Sequence, residues 1–205
     1  MNAALLLDNF NLLADTPNGI AKLRVLILDL AVRGRLVPQD PEDPPARAFL
    51  DRVAMRESKA RQASGKTRTR ALPPIQAADS PHCLPPTWLW VRLAEVVDYS
   101  AAPKVTPENI DDDSWLLDLE DIEKDSSRIL RRVSFRDRQS KSTKARFRKG
   151  DVLYGKLRPY LNKVVVADQE GYCTTEIVPL RCSEDLSPHF LGKSMLVSCH
   201  TCYVV

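Results

Sequence analysis

Apolar residues recur at helical spacing through the first sixty positions, then give way to short β-type runs. Leu6, Phe10 and Leu13 predict a short helix over 3–14. Thr16-Pro17 predicts a cap followed by a proline at the first helical position. Ile20, Leu23, Ile27, Leu30 and Ala31 then line one face of a second helix, which Val25 and Leu26 widen and Gly34 ends. Pro38 and Pro41 predict an extended connector. Asp43-Pro44 starts a third helix with Phe49, Leu50 and Val53 inward. From Ala63 to Pro86 the chain is Pro, Ser, Ala and basic residues without a period, the pattern of a linker. After Trp88 the runs WLWVRL, SWLLDL, DVLYGKL, KVVVAD and CTTEIVPLR predict strands, and Ser187-Pro188 opens a last helix through HFLGKSMLV. The expected organisation is a helical element over 1–62, a linker over 63–83, an α/β (α+β) domain over 84–197 and an atypical tail over 198–205.

Composition changes this picture little. A chain of 205 residues with 43% hydrophobic residues holds one or two ordinary domains. It has no apolar run long enough to span a bilayer, so no membrane association is expected. The start MNAALLLDNFNLLAD has no basic flank and carries Asp8 within its Leu run, unlike a secretion signal. Five cysteines, an odd number, then read as reduced thiols of a cytoplasmic protein. Cys199-His200-Thr201-Cys202 has zinc-like spacing, but Cys182 and His189 do not repeat the pattern. The ligand count therefore favours incidental thiols and no metal.

Charge changes it more. Between Arg128 and Lys163 stand thirteen Lys and Arg against Asp137 and Asp151, a local net of +11. From Glu108 to Asp125 nine acids face Lys124 alone, a local net of −8. A charge run is ordinarily a solvated face, and these two runs can also neutralise each other across a sheet. Against that reading, the cations continue into strand sequence, DVLYGKLRPYLNKVVV, and are mixed with Tyr154, Tyr160, Asn162, Ser140, Ser142 and Thr143. Phosphates take cations and small donors, and base edges take stiffly held Arg, Lys or Asn, so nucleic acid is the natural partner for such a mixture.

Catalytic patterns are missing from the sequence. There is no GxG among the seven glycines, no GxxxxGK[ST], and His82, His189 and His200 have no nucleophile context. Asp43-Pro44-Pro45-Ala46 lacks the aromatic residue that would stack on a flipped adenine, and helix capping explains it better. Glu57-Ser58-Lys59 lies on a polar helical stretch, unlike a two-metal nuclease core.

Three ordered segments carry a family resemblance. LRVLILDLAVRGRLVPQDPEDPPARAFLDRV, LPPTWLWVRLAEVV and LEDIEKDSSRILRR…KSTKARFRKGDVLYGKLRPYLNKVVVADQEGYCTTEIVPLR resemble type I restriction–modification specificity (S) subunits, covering most of residues 20–192. In the second segment Pro86 and Thr87 stand where a Gly-containing pair is usual. The resemblance implies N-terminal helices followed by a mixed-sheet target recognition domain that reads double-stranded DNA. It implies no catalysis on this chain. S-adenosylmethionine, ATP and Mg are expected only on partner methyltransferase (M) and restriction (R) subunits. The ending SCHTCYVV departs from the family pattern, which implies a truncated or half-length subunit, with a homodimer as one way to rebuild a two-domain reader. Phosphate anchoring is expected from Lys141, Lys144, Arg146, Arg148 and Lys149. Groove contacts are expected from Lys156, Arg158, Tyr160, Asn162 and Lys163, with Thr174, Thr175 and Glu176 as a second contact strand or simple sheet filling. The alternative is a protein-interaction fragment that docks a methyltransferase subunit through Leu23, Ile27 and Leu30 without useful DNA affinity.

Overall fold

The computed structural model describes residues 8–64, 75–76, 80, 82–99, 102–197 and 203–204. The fold class is α+β, as expected, and the chain divides into two compact units. One unit runs to Glu95 and includes the end from Val197; the other is Val96–Leu196. Most of the expected linker, and the Cys199–Cys202 pair, lie outside the described residues. No helix among the described residues is long and apolar enough to cross a membrane.

The first unit holds α1 (Phe10–Ala14), α2 (Gly19–Val32) and α3 (Ala46–Ser64). Strand β1 (Trp90–Val91) pairs antiparallel with β10 (Tyr203–Val204). Helix α2 starts later than Thr16-Pro17 predicts. The Gly19 amide bonds to the Thr16 carbonyl at 2.8 Å, and Asn18, in the left-handed region, becomes the cap. Pro17 therefore serves a turn instead of the first helical position. The end of α2 is where Gly34 predicts it. Gly34 has φ +64°, its N–H reaches the Ala31 carbonyl, and the Arg35 N–H reaches the Leu30 carbonyl at 2.8 Å. This paired closure needs a residue that tolerates positive φ. A Cβ on Gly34 would also lie 2.5 Å from Pro85 Cγ, so glycine is required twice over. Helix α3 begins at Ala46, beyond the expected Pro44, and the Ala46 N–H, which has no acceptor within the helix, is satisfied by the Thr87 carbonyl at 2.8 Å. Phe49 and Val53 are buried on its inner face, and Leu50 is half-buried.

The second unit is built on two four-stranded sheets. Its strands are β2 (Val97–Asp98), β3 (Lys104–Val105), β4 (Leu116–Leu117), β5 (Lys144–Phe147), β6 (Val152–Gly155), β7 (Val164–Val166), β8 (Gly171–Cys173) and β9 (Ile177–Cys182). One sheet has the order β2-β9-β6-β7 and is antiparallel; the other, β3-β5-β8-β4, is mixed, with β4 and β8 parallel. Their inner faces share one core of Leu117, Phe147 and Cys173 from the mixed sheet and Leu153, Val165 and Ile177 from the antiparallel one. Packing such faces together is what removes the alternate apolar residues of each strand from water. Helix α5 (Pro188–Val197) covers the other face of β6 and β7, where Gly192 brings its backbone close to Val166 and Val152. Being covered on both sides explains why β6 and β7 read as nearly continuous apolar runs. The expected Ser187 cap is present, its Oγ accepting from the Phe190 N–H at 3.4 Å. The short helix α4 (Phe135–Arg138) and strand β5 went unread in the sequence because both lie in the most highly charged stretch.

Candidate nucleic-acid interface

Strand register decides which cations share a surface. Gly155 pairs with Ile177, and the Lys156 N–H bonds to the Glu176 carbonyl. Ala145 pairs with Cys173, and the Thr174 N–H bonds to the Leu117 carbonyl. Four segments therefore gather at one end of the sheets: 118–125 after β4, 139–143 before β5, 156–163 between β6 and β7, and 174–176 between β8 and β9. The Arg148–Gly150 turn lies at the opposite end of β6, where the Gly150 N–H bonds to the Ala167 carbonyl. The four residues of β6 put about 13 Å of strand between the two ends. The expected DNA-contacting residues are thus split, and Lys141, Lys156, Arg158 and Tyr160 stay together.

The acidic stretch absorbs the first part of the basic one. Arg128 pairs with Glu123, Arg131 with Glu120 and Asp121, Arg136 with Asp112 and Asp113, and Arg138 with Asp118, Glu120 and Asp121. Arg132 pairs with Asp168 and stacks 4.5 Å from the Trp115 ring centroid. Five of the thirteen cations, those from Arg128 to Arg138, are therefore compensated internally. A cleft of about 330 Å³ beside this network is lined by Asp118, Glu120, Arg131, Asp137, Arg138 and Ser140; its arginines are held by Asp118 and Glu120, and Asp137 is bonded to the Ser134 hydroxyl.

The expected phosphate anchors fare unequally. Lys144 is corrected outright: it is 1% exposed, and its ammonium donates to the Ser142 carbonyl at 2.5 Å and the Ser142 hydroxyl at 2.6 Å. Burial lowers its pKa, opposed by the nearby Asp118 carboxylate. A group so enclosed cannot reach a phosphate. Arg146 is exposed but pairs with Glu170 at 2.9 Å. Lys141, Arg148 and Lys149 are exposed, and among the described residues their side chains have no bonded partner.

The 156–163 loop divides into a presented part and a holding part. Lys156, Leu157, Arg158, Pro159 and Tyr160 are all exposed, Leu157 to 49% and Tyr160 to 72%. Lys156 and Arg158 also lack a bonded side-chain partner among the described residues. Asn162 and Lys163, expected at the groove, instead brace the loop. Asn162 Nδ2 donates to Asp125 Oδ1 at 2.9 Å, and Lys163 Nζ donates to the Leu119 carbonyl at 2.6 Å. Arg158 (φ 54°) and Asn162 (φ 45°) both sit in the left-handed region and bound a single 3-10 turn, Pro159–Leu161. Non-glycine residues in that region persist where surrounding structure holds them, as these braces do. Thr174, Thr175 and Glu176 form a turn, not a strand. Sequence reasoning missed Asp125 and Leu157. Asp125 acts on a residue 37 positions away, and no local pattern signals such a pair.

On the first unit, Leu23 and Leu30 are buried in that unit's own cluster with Leu26 and Leu36, so they are not presented for docking. Ile27 is exposed, as are Ile20 and Val25.

No family model matches the chain. Its sequence is 33% identical over 144 residues to the type I restriction enzyme EcoAI specificity subunit of Escherichia coli, covering 69% of this chain and 24% of that protein. It is 40% identical over 90 residues to the EcoEI specificity subunit of the same organism, covering 44% of this chain and 15% of the relative. The chain thus spans about a quarter or less of these relatives. A solved HsdS subunit from Thermoanaerobacter tengcongensis overlaps 56% of this chain and 30% of its own, with 25% identity and a TM-score of 0.48. Over the part of their length that it spans, this chain is a relative of the specificity subunits of type I restriction enzymes.

Proposed function

We infer that this chain contributes sequence-reading double-stranded DNA contacts to a type I restriction–modification assembly, as a non-catalytic specificity component in the cytoplasm. Methyltransferase and restriction subunits would be its partners, and S-adenosylmethionine, ATP and Mg would belong to them. One observation carries the reading: Lys141, Lys156, Arg158 and Tyr160 stand exposed at a single end of the sheets, while Arg128, Arg131, Arg136 and Arg138 are held in ion pairs and Lys144 and Lys163 on backbone carbonyls. Cations left unpaired on a braced support suit a polyanion better than a solvated face, which would spread them.

A salt titration of binding to a duplex tests it. Lys141→Ala and Lys156→Ala are each expected to flatten the slope of log K against log[salt] by about one unit. Arg148→Ala, from the opposite end of β6, is expected to flatten it less. Lys144→Ala is expected to leave it unchanged, because its ammonium is buried. Unchanged slopes for both Lys141→Ala and Lys156→Ala overturn the assignment.

A second reading is favoured by the exposed Ile20 and Ile27, two turns apart on one side of α2, which give the first unit an apolar strip. Here the chain docks a methyltransferase subunit without useful DNA affinity. Co-purification with that subunit, with and without duplex, separates the two: retention that survives loss of Lys141, Lys156 and Arg158 favours docking alone.

A further inference from the structure

We propose that Asp125 is a positioning residue for the Lys156–Tyr160 loop, holding it, through Asn162, in the shape in which it meets a duplex. The proposal rests on the DNA reading of that loop. Asp125 Oδ1 accepts from Asn162 Nδ2 at 2.9 Å, and both residues have left-handed backbones, φ 59° and 45°. Asp and Asn are the non-glycine residues that best tolerate this region, and here each turn places its polar side chain against the other. Asn162 also closes the loop's own turn, its N–H bonding to the Pro159 carbonyl at 3.0 Å. The next residue, Lys163, reaches the Leu119 carbonyl, so two successive residues at the loop's exit are tied to the 119–125 segment. At the entry, Lys156 is tied through its N–H to Glu176. Between these ties the side chains of Leu157, Arg158 and Tyr160 are exposed, and the loop's shape rests on its ends.

Charge alone argues against a carboxylate here. Asp125 is exposed at the end of the unit that presents Lys141, Lys156 and Arg158, where a negative charge opposes a polyanion. Its contribution must then lie in the geometry it imposes, and that separates two substitutions. Asp125→Asn removes the charge but keeps an oxygen that accepts from Asn162; Asp125→Ala removes both. A purely electrostatic residue makes the two variants alike, each binding every duplex more tightly. A positioning residue makes them diverge.

The experiment uses the full chain, a duplex enriched from a randomised pool by the wild-type chain, and a scrambled duplex of the same composition. Asp125→Ala is expected to lose discrimination between the duplexes by a few-fold to about tenfold, the range of one lost hydrogen bond, while Asp125→Asn retains it. Trypsin supplies a readout that needs no DNA. Cleavage after Lys156 (the Arg158-Pro159 bond being resistant) is expected to be several-fold faster in Asp125→Ala and unchanged in Asp125→Asn. Equal cleavage of all three proteins overturns the bracket whatever the chain binds. Faster cleavage of Asp125→Ala with undiminished discrimination overturns its role in reading. A wild-type chain that enriches no duplex overturns the proposal through its DNA premise, and the cleavage rates then show whether the bracket stands alone.

Discussion

Asp121→Ala is expected to cost about 3–5 kcal/mol of folding stability, the scale for removing one partner of a buried ion pair. The Asp121 carboxylate is 0% exposed and accepts from the Asp118 N–H at 2.8 Å, from Arg131 Nε at 2.7 Å and from the Arg138 guanidinium. Arg131 is half in solvent and contributes little, since exposed pairs are weak. Arg138 decides the magnitude: its side chain is 13% exposed, and its remaining partners, Asp118 and Glu120, are themselves partly solvated. Without Asp121 it keeps a charge in a low-dielectric setting with poorer compensation, and the Asp118 amide loses its acceptor. Asp121→Asn should fall between the two, because its amide supplies one acceptor oxygen but turns an NH2 group toward an arginine donor. The check is a denaturant titration, with a shifted midpoint at unchanged slope. A loss below about 1 kcal/mol would mean that water reaches the Arg138 pair as it reaches exposed ones.

Arg158→Ala is expected to relax discrimination at one base pair by roughly 1–3 kcal/mol, with little change elsewhere in the target. The side chain projects from a loop braced at both ends and has no bonded partner among the described residues, so its fork of donors is available to a guanine edge or a phosphate. Alanine keeps an L-residue at φ 54°, so the substitution tests the guanidinium without freeing the backbone as glycine would. Binding to a panel of duplexes, each changed at one position, gives the answer. A loss spread evenly over the panel, as expected for Lys156→Ala, would make Arg158 a backbone contact.

Local physics made much of the fold legible. KVVVAD became β7, because three β-branched residues in a row fit a strand buried on both faces. Ser187-Pro188 began a helix, and Gly34 ended one, through bonds that need only a few neighbouring residues. The acidic and basic stretches were equally plain as composition. What composition left open was whether the cations face solvent or face the acids. Arg131 and Arg138 converge on Asp121 from positions 10 and 17 residues away, and no pattern along the chain ranks that partner above a phosphate.

The amino-acid pattern alone placed the end of α2 at Gly34, the start of α5 at Ser187-Pro188 and the run that became β7, because hydrophobic period, caps and turn residues act over a few positions. It also determined that a positively charged segment feeds into strands. Packing in three dimensions then selects which of those charges keep side chains without a bonded partner among the described residues. Lys144 is buried with its ammonium on Ser142, Arg146 meets Glu170, and Asn162 meets Asp125, while Lys141, Lys156 and Arg158 have no bonded side-chain partner among the described residues. The reason is that electrostatic and hydrogen-bond partners are chosen by distance in space, and in a two-sheet fold register, not sequence separation, sets that distance.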